Sequence, residues 1–281
     1  MNKQLLALYG LKWNPFSPEL PPEALYTPAA VEDFAWRIEH AQVREGGFAM
    51  ITGAPGTGKS VALRLLAARL ERQSDLTVAA LAHPSANLAD FYRELGDLFG
   101  IPDLRPHNRW MGFKALRARW QAHLEATLMR PVLLVDEAQQ LAPAVLSELR
   151  LLASSNFDAC TLLSVILAGD ERLPQLLRRD ELLPLGSRMR TRLTLEPASR
   201  DELLALLDHL SRSAGNPALL TDGLAAALAD HAMGNYRVLA KMASELLARA
   251  AQRELTTLDE KLFFEVFHPE RAPKAKRLRN L

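Results

Sequence analysis

The sequence predicts an α/β protein in which a parallel five-stranded sheet is flanked by helices and followed by a small all-helical domain. Three observations support this prediction. Up to Pro197, strand-length apolar segments alternate with segments of helical periodicity, as in parallel sheets covered on both faces. From Ser199 onward only helical periodicity recurs. A glycine-rich segment, GAPGTGKS, joins the first predicted strand to the helix that follows it.

Apolar runs and helical spacing place each element along the first two thirds of the chain. A helix from about Ala29 to Arg44 is predicted from apolar residues at helical spacing, and it ends at Gly46-Gly47. The predicted strands are Phe48–Thr52, Thr77–Ala82, Pro131–Val135, Leu162–Ala168 and Met189–Leu195, the last of them alternating and half-exposed. The predicted helices between them are Val61–Arg72, Leu88–Phe99, 110–124 and Ala144–Leu152.

The 110–124 helix carries three aromatic residues. Trp110, Phe113 and Trp120 recur at helical spacing, and we interpret them as core residues rather than as platforms for stacking bases.

The remaining chain predicts four helices, of which the first begins with a capping-box signature, Ser199 followed by Glu202. These helices are Ser199–Ala214, Thr221–Met233, Tyr236–Arg253 and Leu258–Phe267. The resulting domain prediction is an irregular, proline-punctuated leader at 1–28, an α/β domain at 29–197, a helical domain at 198–268 and a basic tail at 269–281.

Composition narrows the class of protein. The 281 residues are 48% hydrophobic and 24% charged, which excludes global disorder. No apolar run approaches the roughly 18 residues of a membrane span, and no signal peptide is evident. The single cysteine, Cys160, excludes an internal disulfide and a CxxC zinc site, and we expect it to enter a buried strand. We therefore expect a cytoplasmic protein without a membrane partner.

The glycine-rich segment Gly53–Ser60 matches G-x-x-x-x-G-K-[ST]. Glycines let backbone N–H groups wrap phosphate oxygens, and the following helix presents its positive end to the anion. Lys59 is predicted to reach the β- and γ-phosphates, and Ser60 to ligate Mg²⁺. The alternative, a chance glycine-rich turn, is disfavoured by the strand and helix on either side. The predicted nucleotide contacts are Gly53, Ala54, Pro55, Gly56, Thr57, Gly58, Lys59, Ser60 and Val61.

Two acids follow the third predicted strand, at the edge where ligands of open α/β sheets bind. Asp136 is predicted to hold Mg²⁺, and Glu137 to orient or deprotonate the attacking water. The alternative for Glu137 is a carboxylate that complements a helix dipole.

These residues resemble the AAA+ ATPases, and more closely two groups within them: the general-secretion-pathway A-type ATPases and the bacterial transposition regulators that sit beside transposases. The resemblance covers most of the chain. It is carried by Tyr9–Phe16, GAPGTGKS, VDEAQQL from Val135, Leu167–Leu173, Arg188–Arg192 and Gly234–Arg237. It implies an AAA+ P-loop NTPase domain followed by a helical lid, ATP and Mg²⁺ as ligands, and ATP hydrolysis.

The resemblance also implies roles for single residues. Asp170 matches the sensor-1 position, where relatives usually carry an uncharged polar residue, so it must act through water or Mg²⁺ to avoid repelling a γ-phosphate. Arg237 matches the sensor-2 arginine of the lid. Arg188 matches the arginine finger offered to a neighbouring subunit, with Arg190 as the second candidate. The alternative for these arginines, and for Arg192, is a charged strand edge.

The leader has two interpretations. The resemblance implies that it contributes Asn14, Pro15, Phe16 and Tyr26 to the adenine side of the nucleotide site. The alternative is an N-terminal segment that staples onto the core.

The resemblance to transposition regulators implies an ATP-dependent protein that forms rings or filaments on duplex DNA and recruits transposase to a target. We favour it because secretion-type relatives continue past the lid into a membrane span, which is not evident before Leu281. The alternative is a nucleotide switch of a secretion or other protein complex without DNA. A third possibility is an ATP binder that oligomerises but hardly hydrolyses, which Asp170 keeps open.

The predicted DNA contacts are sequence-tolerant contacts to phosphates. They are Ser85, Asn87, Arg105, Arg109, Lys114 and Arg117. The alternative is the hydrated face of an amphipathic helix. The tail is expected to grip DNA, to anchor to transposase or to aid solubility.

Overall fold

The computed structural model describes residues 3–82, 87–101, 109–157 and 159–267. They divide into an α/β unit, Thr27–Pro197, and a helical unit that combines residues 3–26 with residues 198–267. The helices are α1 (Lys3–Tyr9), α2 (Ala29–Arg37), α3 (Val43–Glu45), α4 (Lys59–Leu70), α5 (Leu88–Leu98), α6 (Arg109–Thr127), α7 (Pro143–Ala153), α8 (Arg172–Leu176), α9 (Leu183–Gly186), α10 (Arg200–Ala214), α11 (Asp222–Ala232), α12 (Tyr236–Gln252) and α13 (Glu260–Phe267). The strands are β1 (Gly47–Gly53), β2 (Val78–Leu81), β3 (Val132–Val135), β4 (Ser154–Ser155), β5 (Cys160–Thr161), β6 (Ser164–Gly169) and β7 (Met189–Leu195).

Within these described ranges, no helix has both the length and the apolar character needed to cross a membrane.

The α/β unit is built on one parallel sheet with the strand order β2-β3-β6-β1-β7, which confirms the predicted fold class. Strands β1, β3 and β6 are buried along their whole length, as strands covered on both faces must be. The edge strand β7 alternates buried and exposed residues, as its sequence predicts. Because β6 lies between β3 and β1, the loops that follow these three strands are neighbours at one edge of the sheet.

The helix predicted over Ala29–Arg44 is interrupted. It is α-helical only to Arg37, and a π-helical turn spans Ile38–Gln42. This wider turn carries the Gln42 side chain into the protein, where its amide donates to the Gly47 carbonyl (3.3 Å) and to the Ser164 hydroxyl (3.2 Å). The turn thus ties the helix to the two central strands.

The aromatic residues of α6 do not all face the core. Trp120 is fully buried, with its ring edge-on to Phe99 at 5.2 Å between centroids, and Phe113 packs against the core from a partly buried position. The prediction for Trp110 is wrong, because this side chain is 62% exposed. It lies in the first turn of α6, outside the core, where it stacks on Phe113.

The prediction for Cys160 is also wrong. It lies in the short antiparallel pair formed by β4 and β5, and its side chain is exposed. The buried strand begins only at Ser164, after the chain has left this pair.

The helical unit confirms one predicted helix start, and it contains one helix, α1, that the sequence did not predict. The capping box is confirmed, because the Ser199 hydroxyl accepts from the Glu202 N–H (3.2 Å) and the Glu202 carboxylate accepts from the Ser199 N–H (2.7 Å). The leader, however, is not irregular throughout, since its prolines begin only at Pro15 and leave α1 free to form. The Asn216 side chain donates to the Tyr9 carbonyl (3.0 Å) at the end of that helix.

Candidate functional site

The phosphate loop connects the carboxyl end of β1 to the first turn of α4. Gly56 and Gly58 adopt left-handed backbone conformations, with φ of 87° and 98°, which glycine reaches without steric cost. The Thr57 hydroxyl donates to the Ala54 carbonyl over 2.9 Å and closes the loop on itself. Successive backbone N–H groups in such a turn form a concavity suited to phosphate oxygens.

Lys59 lies inside this loop. It is 6% exposed, and its Nζ donates to the carbonyls of Gly53 (2.9 Å) and Ala54 (3.1 Å). Gly53 has no room for a side chain, since a Cβ would lie 2.5 Å from the Leu195 carbonyl oxygen. Both partners of the ammonium are neutral, and an anionic phosphate oxygen is a stronger acceptor. The loop therefore holds a buried cation at the position where a triphosphate would bind.

The two acids follow β3. The Asp136 side chain accepts from the Glu137 N–H over 2.9 Å. Glu137 itself has a φ of 50°, a left-handed conformation that non-glycine residues rarely adopt and that is concentrated at functional sites. It precedes a single 3₁₀ turn, Ala138–Gln140, but its carboxylate does not cap that turn. The carboxylate is therefore available for other partners.

A hydrogen-bonded network joins Glu137 to the residue after β6. The Gln139 amide nitrogen donates to Glu137 Oε2 (2.6 Å) and to Asp170 Oδ2 (3.4 Å). Asp170 also forms an ion pair with Arg172 at 2.7 Å. The Arg172 guanidinium holds the pKa of Asp170 below its ordinary value, and the positive charge of Lys59 acts in the same direction. The structure thus places Glu137, Asp170 and Lys59 around one edge of the sheet.

A cleft of about 400 Å³ opens beside the phosphate loop. Its walls come from the end of β1, from the start of the α8 region and from the end of β7. They are formed by Thr52, Gly53, Ala54, Glu171, Pro174 and 194–197. This cleft adjoins the loop on the side away from the acids of β3, because β7 and β3 lie on opposite sides of β1 in the sheet.

The segment that carries this geometry matches a known family. A family model described as an AAA domain matches residues 42–177, which span the phosphate loop, both acids and Asp170. The match covers a little less than half of the chain, and residues 42–177 are therefore similar to an AAA domain. The matched segment contains the phosphate loop, the acid pair and four of the five strands of the sheet, the arrangement expected of a P-loop nucleotide site.

Three similar proteins extend the comparison beyond residues 42–177. General secretion pathway protein A of Aeromonas hydrophila is 33% identical over 210 residues, which cover 74% of this chain and 37% of that protein. The crystal structure of Cdc6p from Pyrobaculum aerophilum has a TM-score of 0.69 at 18% identity, over 87% of this chain and 67% of that chain. The structure of Drosophila ORC bound to DNA has a TM-score of 0.66 at 15% identity, over 94% of this chain and 65% of that chain. These likenesses confirm the predicted fold, a parallel sheet flanked by helices, and the resemblance to transposition regulators stays a prediction.

The arginines near the edge strand β7 have partners within the chain. Arg188 lies between α9 and β7, and its guanidinium donates to the Pro184 carbonyl. Arg190 pairs with Glu45 at 2.8 Å, and Arg192 donates to the Gly186 carbonyl. The choice of Arg188 as arginine finger stays a prediction.

The other predicted nucleotide contacts belong to the helical unit. Asn14 and Phe16 are buried, and the Asn14 side chain accepts from the Phe16 N–H over 3.0 Å. Pro15 is buried and Tyr26 partly so. Arg237 is exposed in the first turn of α12. Their roles at the nucleotide stay predictions.

Two of the predicted DNA contacts have clear structural partners. Arg109 donates to Glu148 on α7, with 2.8 Å from Nε to Oε1, and Glu148 is only 2% exposed. Arg117 donates to the Leu151 (3.2 Å) and Leu152 (3.1 Å) carbonyls at the end of α7, where a cation complements the helix dipole. Each arginine therefore links α6 to α7 by hydrogen bonds.

The remaining predicted DNA contacts lie in different surroundings, and some of them lie outside the described residues. Asn87 caps α5, because its side chain accepts from the Asp90 N–H over 2.9 Å. Lys114 places its ammonium 4.8 Å from the centroid of the exposed Trp110 ring. Ser85, Arg105 and the basic tail lie outside the described residues.

Sequence reasoning missed two members of the site, Gln139 and Arg172. Both lie within a few residues of a predicted site residue, Gln139 two positions after Glu137 and Arg172 two positions after Asp170. That proximity is the signal that could have pointed to them. Their contacts depend on the pairing of β3 with β6, which the sequence does not show.

Proposed function

We propose that this chain is an ATP hydrolase of the cytoplasm that assembles on duplex DNA and regulates transposition, by selecting a target and recruiting transposase. The observation that carries the hydrolytic part is the meeting of the phosphate loop, the Asp136-Glu137 pair and Asp170 at one edge of the sheet.

The residues of the phosphate loop and the acids that follow β3 have different roles in the proposed hydrolysis. Lys59 exchanges its carbonyl partners for oxygens of the β- and γ-phosphates. Ser60 and Asp136 offer the oxygen ligands that Mg²⁺ prefers, and the bound ion would offset the charge of the phosphates. Glu137 accepts a proton from the water that attacks the γ-phosphorus, and the bond to the leaving ADP breaks. The products are ADP and phosphate.

We propose that hydrolysis depends on a second copy of the chain. β7 is an edge strand of the sheet, and we place the neighbouring subunit beside it. Arg188 immediately precedes this strand, from where it would reach the neighbour's γ-phosphate and stabilise the transition state. Arg188 donates to the Pro184 carbonyl and Arg190 pairs with Glu45, so the choice of Arg188 over Arg190 rests on the resemblance. Arg237, in the helical unit, would report the bound nucleotide to the lid.

The DNA part of the proposal rests on the resemblance to transposition regulators and on the basic residues of α6. The contacts of Arg109 and Arg117 with α7 reduce their share in any DNA surface. Lys114 contacts the exposed Trp110 ring, and this contact leaves the charge of its ammonium at the surface. We therefore favour Lys114 among the described basic residues as a DNA contact. Drosophila ORC, whose fold is similar, is bound to DNA in its structure.

A second candidate function is favoured by the sequence relative. General secretion pathway protein A is 33% identical over 210 residues, and this chain spans 37% of its length. On that basis the AAA domain would serve as the nucleotide switch of a secretion complex and would bind protein rather than DNA.

Retention on duplex DNA separates these functions. The full chain is incubated with labelled DNA at low salt, with a non-hydrolysable ATP analogue, with ADP and without nucleotide. The DNA proposal predicts retention that requires the ATP analogue and weakens as salt rises, since phosphate contacts release counterions. Retention under none of these conditions would contradict the DNA proposal and leave the second candidate.

A further inference from the structure

We propose that Gln139 positions the general base Glu137, and that Asp170 acts on hydrolysis through Gln139 instead of contacting the nucleotide. This inference rests on the proposed ATP hydrolysis at the same site. It assigns a function to the acid that occupies the sensor-1 position.

The Gln139 side chain connects the ends of two strands. Its nitrogen donates to Glu137 Oε2 at 2.6 Å and to Asp170 Oδ2 at 3.4 Å, while its oxygen accepts from the Asp170 N–H at 3.3 Å. An amide nitrogen has two hydrogens, so it can serve both carboxylates at once. Three bonds therefore fix the orientation of one amide between the base and Asp170.

Gly169 provides the room for this amide. A Cβ at Gly169 would lie 2.5 Å from the Gln139 amide oxygen, a distance that carbon and oxygen atoms do not tolerate. The last residue of β6 thus has to be glycine for Gln139 to occupy its position. This observation is independent of the hydrogen bonds and points to the same placement.

Arg172 anchors the far end of the network. Its guanidinium donates to both carboxylate oxygens of Asp170, at 3.1 Å and 2.9 Å from Nε, and its backbone N–H donates to Oδ1 at 2.9 Å. These contacts keep the Asp170 carboxylate ionised and turned toward Arg172 and Gln139. An acid held in this way supports an amide without presenting an unpaired negative charge to a phosphate.

Two side-chain amides donate to one oxygen of the Glu137 carboxylate and thereby orient it. Gln139 and Gln140 both donate to Glu137 Oε2, at 2.6 Å and 3.2 Å. Among the described residues, none donates a hydrogen bond to the other oxygen, Oε1. Oε1 is therefore the oxygen that can accept a proton from water. Without Gln139 the carboxylate can rotate, and misplacement of a base slows the chemical step more than it weakens binding.

Steady-state kinetics of Gln139→Ala, Asp170→Ala and the double variant test this proposal. Each single change should lower kcat by about 10- to 100-fold with little change in KM. The double variant should be no slower than Gln139→Ala, because Asp170 acts through that residue. The matched control is Gln121→Ala, which removes an exposed amide-to-carboxylate bond to Glu125 on α6. If the two single losses multiply in the double variant, Asp170 acts independently of Gln139 and the proposal is wrong.

A second readout needs no nucleotide. In ¹H–¹⁵N spectra of the full chain without nucleotide, the side-chain amide signal of Gln139 is assigned by its loss in Gln139→Ala. That signal should shift in Asp170→Ala and in Arg172→Ala, and stay in place in Gln121→Ala. An unshifted signal would overturn the inference even in an active enzyme. Absence of ATP binding and turnover in the unaltered chain would instead contradict the proposed function, and the amide shift would still decide whether Asp170 holds Gln139.

Discussion

The Arg109 guanidinium is hydrogen-bonded at two points to the carboxylate of Glu148, a residue that is 98% buried in the α/β unit. The Tyr92 hydroxyl donates to the same carboxylate at 2.5 Å, so α5, α6 and α7 meet at one charged group. Burial alone would raise the pKa of Glu148, but the hydrogen bonds from Arg109 and Tyr92 outweigh it and lower the pKa. This carboxylate therefore stabilises the packing of three helices.

Glu148→Ala should destabilise the protein. The change leaves the Tyr92 hydroxyl without its acceptor and opens a void, at a cost of about 1–3 kcal/mol in the free energy of unfolding. Urea denaturation followed by circular dichroism measures it. Glu125→Ala, on the exposed face of α6, is the control and should change stability by less than about 0.5 kcal/mol. Equal stability of the two variants would show that the buried carboxylate contributes nothing.

The contribution of Glu148 should depend on pH. Its pKa is lowered in the folded protein, so its stabilisation is complete above the unfolded-state pKa of about 4.3 and is lost as the pH falls through the folded-state pKa. Urea unfolding of the unaltered chain and of Glu148→Gln, repeated from neutral to acidic pH, tests this. The stability difference between them should narrow on acidification. A difference that widens below about pH 4 would contradict the assigned direction.

Glu137→Gln should separate binding from hydrolysis. The amide keeps the size of the side chain but cannot accept a proton from water, so turnover should fall about 100-fold or more. Affinity for a fluorescent ATP analogue should change little, because Lys59 and the loop remain. Phosphate release and analogue fluorescence measure the two quantities. Glu71→Gln, at the exposed end of α4, is the control, and a fall in turnover there equal to that of Glu137→Gln would refute the role of Glu137.

Arg188→Ala should abolish turnover without loss of ATP binding. If the finger acts in trans, a mixture with Lys59→Ala should regain activity, because some interfaces then combine an intact loop with an intact arginine. Arg190→Ala is the matched control, since its pair with Glu45 lies at the surface and contributes little.

Two outcomes would contradict the assignment of the finger. Rapid hydrolysis by Arg188→Ala would exclude Arg188 from the reaction. Loss of turnover in Arg190→Ala, with Arg188→Ala active, would transfer the finger to Arg190.

The strands and the phosphate loop could be predicted from the sequence because their signals are local. Burial on both faces makes β1, β3 and β6 continuous apolar runs, and the loop needs glycines at fixed spacing. Those signals placed Asp136 after a strand, as the structure has it. They placed Lys59 in the loop before a helix predicted from Val61, whereas the helix already begins at Lys59.

The tertiary partners could not be predicted, because they depend on the pairing of distant segments. Arg109 stands 39 positions from Glu148, and its charge alone suggested a phosphate contact rather than a buried carboxylate. Gln139 stands 31 positions from Asp170, and only the adjacency of β3 and β6 brings them together. Trp110 has helical spacing with Trp120, yet its place in the first turn of α6 leaves it exposed.

ATP turnover by the full chain, measured across a range of protein concentrations with and without duplex DNA, tests the central claim most directly. We expect turnover per chain to rise with protein concentration, since each site needs a neighbour's arginine, and to rise further when DNA gathers the subunits. Turnover that stays constant with concentration and is unaffected by DNA would contradict a shared site that assembles on DNA.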